Sequence, residues 1–222
     1  MTGGVNHSFS GRVPLLAARA YTAVRDMIVT LRLPPASPIN EERLSAELGV
    51  GRTPLRDALK RLEAESLVAI YPRRGTFVTE VNITDHGLIA DVRRQLEGHA
   101  AQRAAERATQ ADRGRLRELV TAARQSAAAG GADRAASMRL DTEIHRATYG
   151  CAHNRYLEST LDHYYNLSLR IWYLFLDRLP EVDHAADLVP MMEAILAGDG
   201  ERARELAVRH VEDFERSVRA AL

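Results

Sequence analysis

The chain has 222 residues, 45% of them hydrophobic and 27% charged, with 30 basic residues against 30 acidic ones. That length suits one large domain or two small ones, and the apolar fraction excludes disorder throughout. No run of about 18 apolar residues is present, which excludes a membrane-spanning helix. The polar start Met1 to Ser10 lacks the features of a signal peptide, and a single cysteine, Cys151, rules out a disulfide framework and points to the cytoplasm. The even charge balance conceals an asymmetry. Residues 1–80 carry 11 Arg or Lys against 8 Asp or Glu, whereas residues 81–222 carry 19 against 22 and seven of the eight histidines. Two units with different partners are expected.

Residues 1–12 hold three glycines and no apolar periodicity, which predicts a flexible tail. From Pro14 to Leu31, Ala20, Val24, Met27, Ile28 and Leu31 recur at helical spacing, and the helix is expected to stop before Leu33-Pro34-Pro35. Asn40 suits the N-cap of a short helix over Glu41 to Leu48, with Gly49 as its stop. Thr53-Pro54 reads as the start of another helix, with a capping hydroxyl and a proline at its first position. Leu55, Leu59 and Leu62 form its buried stripe. The period then changes. Leu67 to Tyr71 and Thr76 to Thr79 are strand-like, joined by the turn Pro72-Arg73-Arg74-Gly75. Three helices and a small hairpin over residues 13–80 predict a winged helix-turn-helix. From Thr84 onward the pattern is almost entirely helical, with helices expected near 84–108, 111–128, 132–149, 154–179, 184–197 and 200–221. Breaks are expected at Gly130-Gly131, Gly150 to Asn154, Pro180 and Gly198 to Gly200. The fold class is therefore mostly α: the winged head followed by an all-α six-helix bundle over 81–222, able to enclose a ligand.

In a helix-turn-helix, the N-terminal turn of the second helix enters the major groove. Arg52, Thr53 and Arg56 then project together, opposite the leucine stripe. The arginine fork suits guanine O6 and N7 or a phosphate, and the helix N-terminus adds N–H groups for a phosphate oxygen. Arg73, Arg74 and Gly75 at the hairpin tip are placed to reach the adjacent backbone or minor groove. Arg43 and Pro54 complete the predicted DNA-facing set. An isolated Arg-x-x-x-Arg is more often a solvated face; its setting in a helix-turn-helix with a basic wing favours DNA.

The runs Arg52-Thr53-Pro54-Leu55-Arg56-Asp57-Ala58-Leu59, Leu62-Glu63-Ala64-Glu65-Ser66-Leu67-Val68 and Arg74-Gly75-Thr76-Phe77-Val78 resemble GntR-family transcriptional regulators over about residues 15–80. Those regulators usually carry serine where Gly51 stands, glycine where Ser66 stands, and Pro-Gly in the segment reading Pro35-Ala36 here. The helical remainder resembles the FadR-type C-terminal ligand-binding domain, FCD. It does so through Arg93-Arg94-Gln95-Leu96-Glu97, Asp141-Thr142-Glu143-Ile144-His145 with Asn154-x-x-Leu157, and Ala194 to Asp199 with Ala203 and His210. Six helices rather than seven point to its VanR-like branch. The resemblance implies a homodimer, a repressor more often than an activator, that binds a short inverted repeat in double-stranded operator DNA. It also implies release by a small metabolite, often a carboxylate.

The resemblance further implies a divalent metal, such as zinc, nickel or manganese, held by an Asp, a His one turn later and two further His. Asp141, His145 and His210 match three of these positions. Leu188 stands at the fourth, 22 residues before His210, and His184 is displaced from it by one turn, about 5 Å. The residues alone also fit an ordinary Asp141–His145 ion pair. Arg93 is the first candidate for an effector carboxylate, with a helix-surface pair to Glu97 as its alternative. Asn154, which also suits a helix cap, and Arg170 follow. The aromatic run Tyr164, Tyr165, Trp172, Tyr173 and Phe175 reads as packed core or dimer surface. Two other functions compete with a ligand-responsive regulator: a metal-dependent hydrolase using Asp141, His145 and His210, and a DNA-binding dimer without effector. The first leaves the head unexplained, and no enzyme is expected.

Overall fold

A computed structural model of the protein describes residues 12–129, 133–176, 178 and 184–221. Residues 1–11 of the tail expected over 1–12, and the breaks at Gly130-Gly131 and Pro180, lie outside the described residues, while Arg12 already belongs to the first helix. The chain forms two compact units, one of residues up to Asn82 together with Leu169–Leu174, the other of Ile83–Ser168 with Phe175–Leu222.

The first unit opens with helix α1 (Arg12–Val29), which packs on α3 (Arg52–Ala64) through Ala20, Val24 and Ile28 against Leu55, Leu59 and Leu62, all buried. α1 ends before Leu31, whose backbone is left-handed at φ 58°, so Leu31 does not extend the stripe. In α2 (Glu41–Leu48), Asn40 Oδ1 accepts the Arg43 N–H at 2.9 Å, and Gly49, at φ 62°, closes the helix. Both ends follow from residue chemistry: a short acceptor for an orphan N–H, and a residue without Cβ where φ is positive. α3 starts two residues earlier than expected. Gly51 is its N-cap and no side chain caps it, so Thr53 lies within the first turn and its hydroxyl is free of that duty.

The hairpin consists of β2 (Val68–Tyr71) and β3 (Gly75–Val78), paired antiparallel with Val68 opposite Val78 and Tyr71 opposite Gly75. A third strand, β1 (Pro38–Ile39), adds to β3, with Pro38 opposite Phe77 and Ile39 opposite Thr76. Two residues carry no readable alternation. A proline is tolerated there because β1 is an edge strand.

Ala36 (φ 60°) and Ser66 (φ 59°) adopt left-handed backbone at the two places where the resembled family usually has glycine. A Cβ in that region costs about 1–2 kcal/mol, partly offset because glycine loses more freedom on folding. Ala36→Gly and Ser66→Gly are each expected to raise the denaturant midpoint of the head, by about 0.5–1 kcal/mol of stability. Equal or lower midpoints would show that the strain is relieved elsewhere.

The second unit contains α4 (Asp85–Arg107), α5 (Gln110–Ala128), α6 (Arg134–Cys151), α7 (Arg155–Leu174), α8 (His184–Asp187), α9 (Val189–Ala197) and α10 (Gly200–Ala221). The residues Leu169–Leu174 of α7 group with the first unit. Side chains start four of these helices: Thr109 with Asp112 in a reciprocal capping box, Asp133, Asn154, and Asp199. The single helix expected over 184–197 is instead broken at Leu188 into α8 and α9. Pro190 has no N–H to continue the ladder, so the chain tightens at Leu188 and restarts at Val189. α7 ends at Leu174, short of the expected 179.

α4 and α10 pack along most of their lengths, and small residues make this possible. A Cβ added at Gly98 would lie 2.9 Å from Val208 Cγ2 and 3.2 Å from Arg204 Cγ. Gly98→Val is therefore expected to destabilise the helical unit by about 1–3 kcal/mol, read as a lowered thermal midpoint. Around this pair, α5, α6, α8 and α9 bury Leu116, Leu119, Ile144, Leu188, Met192 and Ile195. No helix among the described residues is long and apolar enough to cross a membrane.

Candidate functional site

In the head, Arg52, Thr53 and Arg56 stand exposed at the N-terminal turn of α3, while Pro54 beside them is buried and shapes the turn instead. Arg43 is exposed in the first turn of α2. Arg73 (φ 62°), Arg74 and Gly75 (φ 95°) form the exposed hairpin tip. Two acidic side chains next to the arginines lie right after the Asn40 cap. Arg56 Nε is 3.3 Å from Glu41 Oε2, and Arg52 Nη2 is 3.9 Å from Glu42 Oε1. Glu41 also accepts the Thr76 hydroxyl at 3.0 Å, which joins α2 to the wing strand β3. Such exposed ion pairs contribute little, so they orient the arginines without locking them away from a phosphate.

The second unit buries a charged cluster. Arg93 and Glu97, one turn apart on α4, are 3% and 4% exposed and paired at 2.6 Å, which places the pair in the interior rather than on the helix surface. Arg93 Nη1 also donates to Ser168 Oγ at 2.7 Å. His145 Nε2 lies 3.4 Å from Glu97 Oε2, and its Nδ1 lies 3.0 Å from the Asp141 carbonyl and 3.3 Å from Asp141 Oδ2. The Tyr165 hydroxyl donates to Asp141 Oδ2 at 2.6 Å. His210 Nε2 is 3.9 Å from Asp141 Oδ1, and the rings of His145 and His210 are 5.1 Å apart.

These contacts set the protonation states. Burial opposes charge at every member, so each ionised group depends on its neighbours. Burial alone would strip the His145 proton, but Asp141 and Glu97 on either side raise its pKa to about 10. Against their own burial, Arg93 and His145 hold Glu97 down to about 2, and His145 and His210 hold Asp141 well below the usual carboxylate range. Burial, followed by the positive charge on His145, pushes His210 down to about 4.

A metal fits three of these residues. Donor atoms of Asp141, His145 and His210 all lie within 4.8 Å of one another. Two of those side chains leave buried atoms without a hydrogen-bond partner, Asp141 Oδ1 and His145 Nε2. With Nδ1 turned to the Asp141 carbonyl, Nε2 is the nitrogen left to offer a lone pair. Leu188, at the position where histidine was implied, is 1% exposed within the apolar core and offers no ligand.

Asn154 and Arg170 have other partners. Asn154 is exposed and its Oδ1 accepts the N–H groups of Tyr156 and Leu157, so it caps α7. Arg170 donates to the Thr79 hydroxyl and carbonyl at 2.8 and 2.6 Å, within the first unit. Sequence reasoning missed Tyr165, Ser168 and the central place of Glu97. Glu97 was visible as the end of Arg-x-x-Leu-Glu, but nothing in spacing brings α7 onto α4.

Residues 16–78 match the description "Bacterial regulatory proteins, gntR family", and residues 88–213 match "FCD domain". A probable D-xylose utilization operon transcriptional repressor from Paenarthrobacter nicotinovorans is 30% identical over 195 residues, 85% of this chain and 84% of that protein. An uncharacterized HTH-type transcriptional regulator from Streptomyces ambofaciens is 42% identical over 62 residues, 28% of this chain. Against that relative and three others, the matched stretch spans between 26% and 63% of their length. The solved structure of E. coli McbR/YncC shares the fold, with a TM-score of 0.79 at 20% identity over 92% of this chain and 97% of that one. With a matched head, a matched helical domain and a relative aligned over most of both chains, the protein belongs to the GntR family of bacterial regulatory proteins, in the FadR-like group that carries an FCD domain.

Proposed function

We propose that the protein is a ligand-responsive transcriptional regulator, acting as a repressor. It binds a short inverted repeat as a homodimer and lets go, or changes its grip, when a small carboxylate enters the helical unit. The observation that carries this reading is the set Arg52, Thr53 and Arg56, exposed together on the N-terminal turn of α3 beside a wing tipped by Arg73 and Arg74. The guanidiniums and the free N–H groups of that turn suit phosphate and guanine edges.

In the helical unit, Asp141, His145 and His210 are the residues that would hold a divalent ion. Such an ion would supply a positive centre for an anionic oxygen of the effector. Arg93, already committed to Glu97 and Ser168, positions Glu97 against His145 instead of standing as a free carboxylate anchor. The hydrolase alternative finds no support, because the matched head and the named relatives are those of transcriptional regulators.

The test is selection from a random pool of DNA duplexes. Enrichment of one inverted repeat is expected, bound with an affinity that falls steeply with salt because phosphate contacts release counterions. Failure to enrich any duplex at low salt would overturn the reading.

A further inference from the structure

The two acidic side chains beside the exposed arginines of the head differ in what holds them. Glu41 is committed. Its Oε1 accepts the hydroxyl of Thr76, a buried residue of β3, and its Oε2 faces Arg56 Nε at 3.3 Å. Glu42 is not. Its side chain is 87% exposed, and its one ion pair among the described residues is the open contact of 3.9 Å from Oε1 to Arg52 Nη2. Both acids line one recess between α2 and α3 with Arg52 and Arg56. The helix dipole favours an acid in the first turn of α2, and Glu41 already fills that role after the Asn40 cap. A second carboxylate standing free beside the arginine is a liability on a face that meets phosphates, unless a donor lies opposite it.

The major groove of DNA offers that donor. Guanine presents O6 and N7 as acceptors, and its paired cytosine presents the N4 amino group as a donor. O6 and N4 share a base-pair hydrogen bond, so they lie about 3 Å apart. A guanidinium N–H over O6 and a carboxylate oxygen over N4 then stand side by side at a similar spacing, as Arg52 Nη2 and Glu42 Oε1 do. Other base pairs serve the two groups less well. On A·T and C·G a donor falls under the guanidinium and an acceptor under the carboxylate. On T·A a methyl group replaces the second acceptor of the arginine fork.

We propose that Arg52 and Glu42 together read one G·C pair in each half of the repeat, Arg52 on the guanine and Glu42 on the amino group of its cytosine. This rests on the reading of the head as DNA-binding, and it adds a residue outside α3 that acts by rejecting wrong sequences. The charge of Glu42 weakens binding to DNA at large, and its contact to N4 restores binding at that one pair.

The experiment uses the full chain and the repeat enriched from the random duplex pool. Each cytosine of the half-site is replaced in turn by N4-methylcytosine, symmetrically in both halves. That base still pairs with guanine but carries a methyl group in place of the amino proton facing the major groove. In the wild type, one such replacement is expected to weaken binding about tenfold, the factor for one base contact, at the pair whose guanine preference is lost in Arg52→Ala. Glu42→Ala should bind the normal and methylated repeats alike, and should hold duplexes of unrelated sequence about two- to fivefold more tightly at low salt, since one like charge is gone. Glu42→Gln, whose amide oxygen still accepts, should keep part of the sensitivity to the methyl group. A Glu42→Ala protein that melts lower but keeps every sequence preference would mean that Glu42 serves only its helix, and overturns the proposal. No sensitive cytosine in the wild type, or a sensitivity that persists in Glu42→Ala, also overturns it and leaves DNA binding standing. Failure of the wild type to enrich any repeat overturns both.

Discussion

Arg52→Ala and Arg56→Ala are each expected to weaken operator binding by about 10- to 100-fold, the 1–3 kcal/mol of a lost guanine or phosphate contact. Both side chains are largely exposed, 77% and 69%, and among the described residues their ion pairs are the loose ones to Glu42 and Glu41. The fold should therefore be untouched, and circular dichroism with an unchanged melting midpoint would confirm that the loss lies in recognition. The two variants should also separate the kinds of contact. A residue on a base edge, once removed, relaxes preference at one position of the repeat. A residue on phosphate, once removed, weakens all sequences alike and lowers the salt slope by about one. Gly51→Ser is expected to act in the opposite direction. Gly51 has an ordinary extended backbone at φ −71°, and a Cβ there would meet only the Pro54 ring, at 3.7 Å, so a serine fits and adds a hydroxyl at the helix mouth. Unchanged affinity in both arginine variants would take α3 out of the DNA interface.

The head was legible because each of its ends is marked by a residue with one job. Asn40 and Gly49 fix α2, and the turn Pro72 to Gly75 separates two short apolar runs. Where such markers were absent or ambiguous, the reading slipped. Thr53 looked like a cap because Thr-Pro commonly opens helices, but Gly51 already supplies the carbonyl that Leu55 N–H bonds to. β1 is too short for any period, and the break at Leu188 depends on Pro190, a residue that stands two positions past the kink.

The helical site was half legible, for a different reason. Asp141 and His145 share a helix face by spacing alone, and α10 brings in His210. The role of Arg93 depends on depth. Fully buried, it cannot stay unpaired, so it takes Glu97 and Ser168 with it. Spacing gives i and i+4 but not burial, and burial decides whether Arg93–Glu97 is a surface pair or the interior anchor of the cluster.

The metal gives the second large expectation. Protein purified without chelator or metal-affinity tag is expected to hold about one divalent ion per chain, and His210→Ala to bind it about 100-fold more weakly or not at all. Leu188 does not prevent this, since three protein ligands with an open position make a working site. The sign of the pH effect follows from His145. Without metal it keeps its proton up to about 10, so an ion taking Nε2 must expel that proton, whereas His210, at about 4, has none to lose near neutrality. Uptake should therefore release about one proton, and affinity should rise about tenfold per pH unit up to about pH 10. Chelation should leave the fold intact, unlike a structural zinc site, because protonated His145 then balances Asp141 and Glu97 in the ion's place. Carboxylate binding should be lost at the same time. An ion-free wild type would instead mean that Asp141 and His145 are an ion pair and that any effector meets these side chains directly, and equal metal content in His210→Ala would take His210 out of the ligand set.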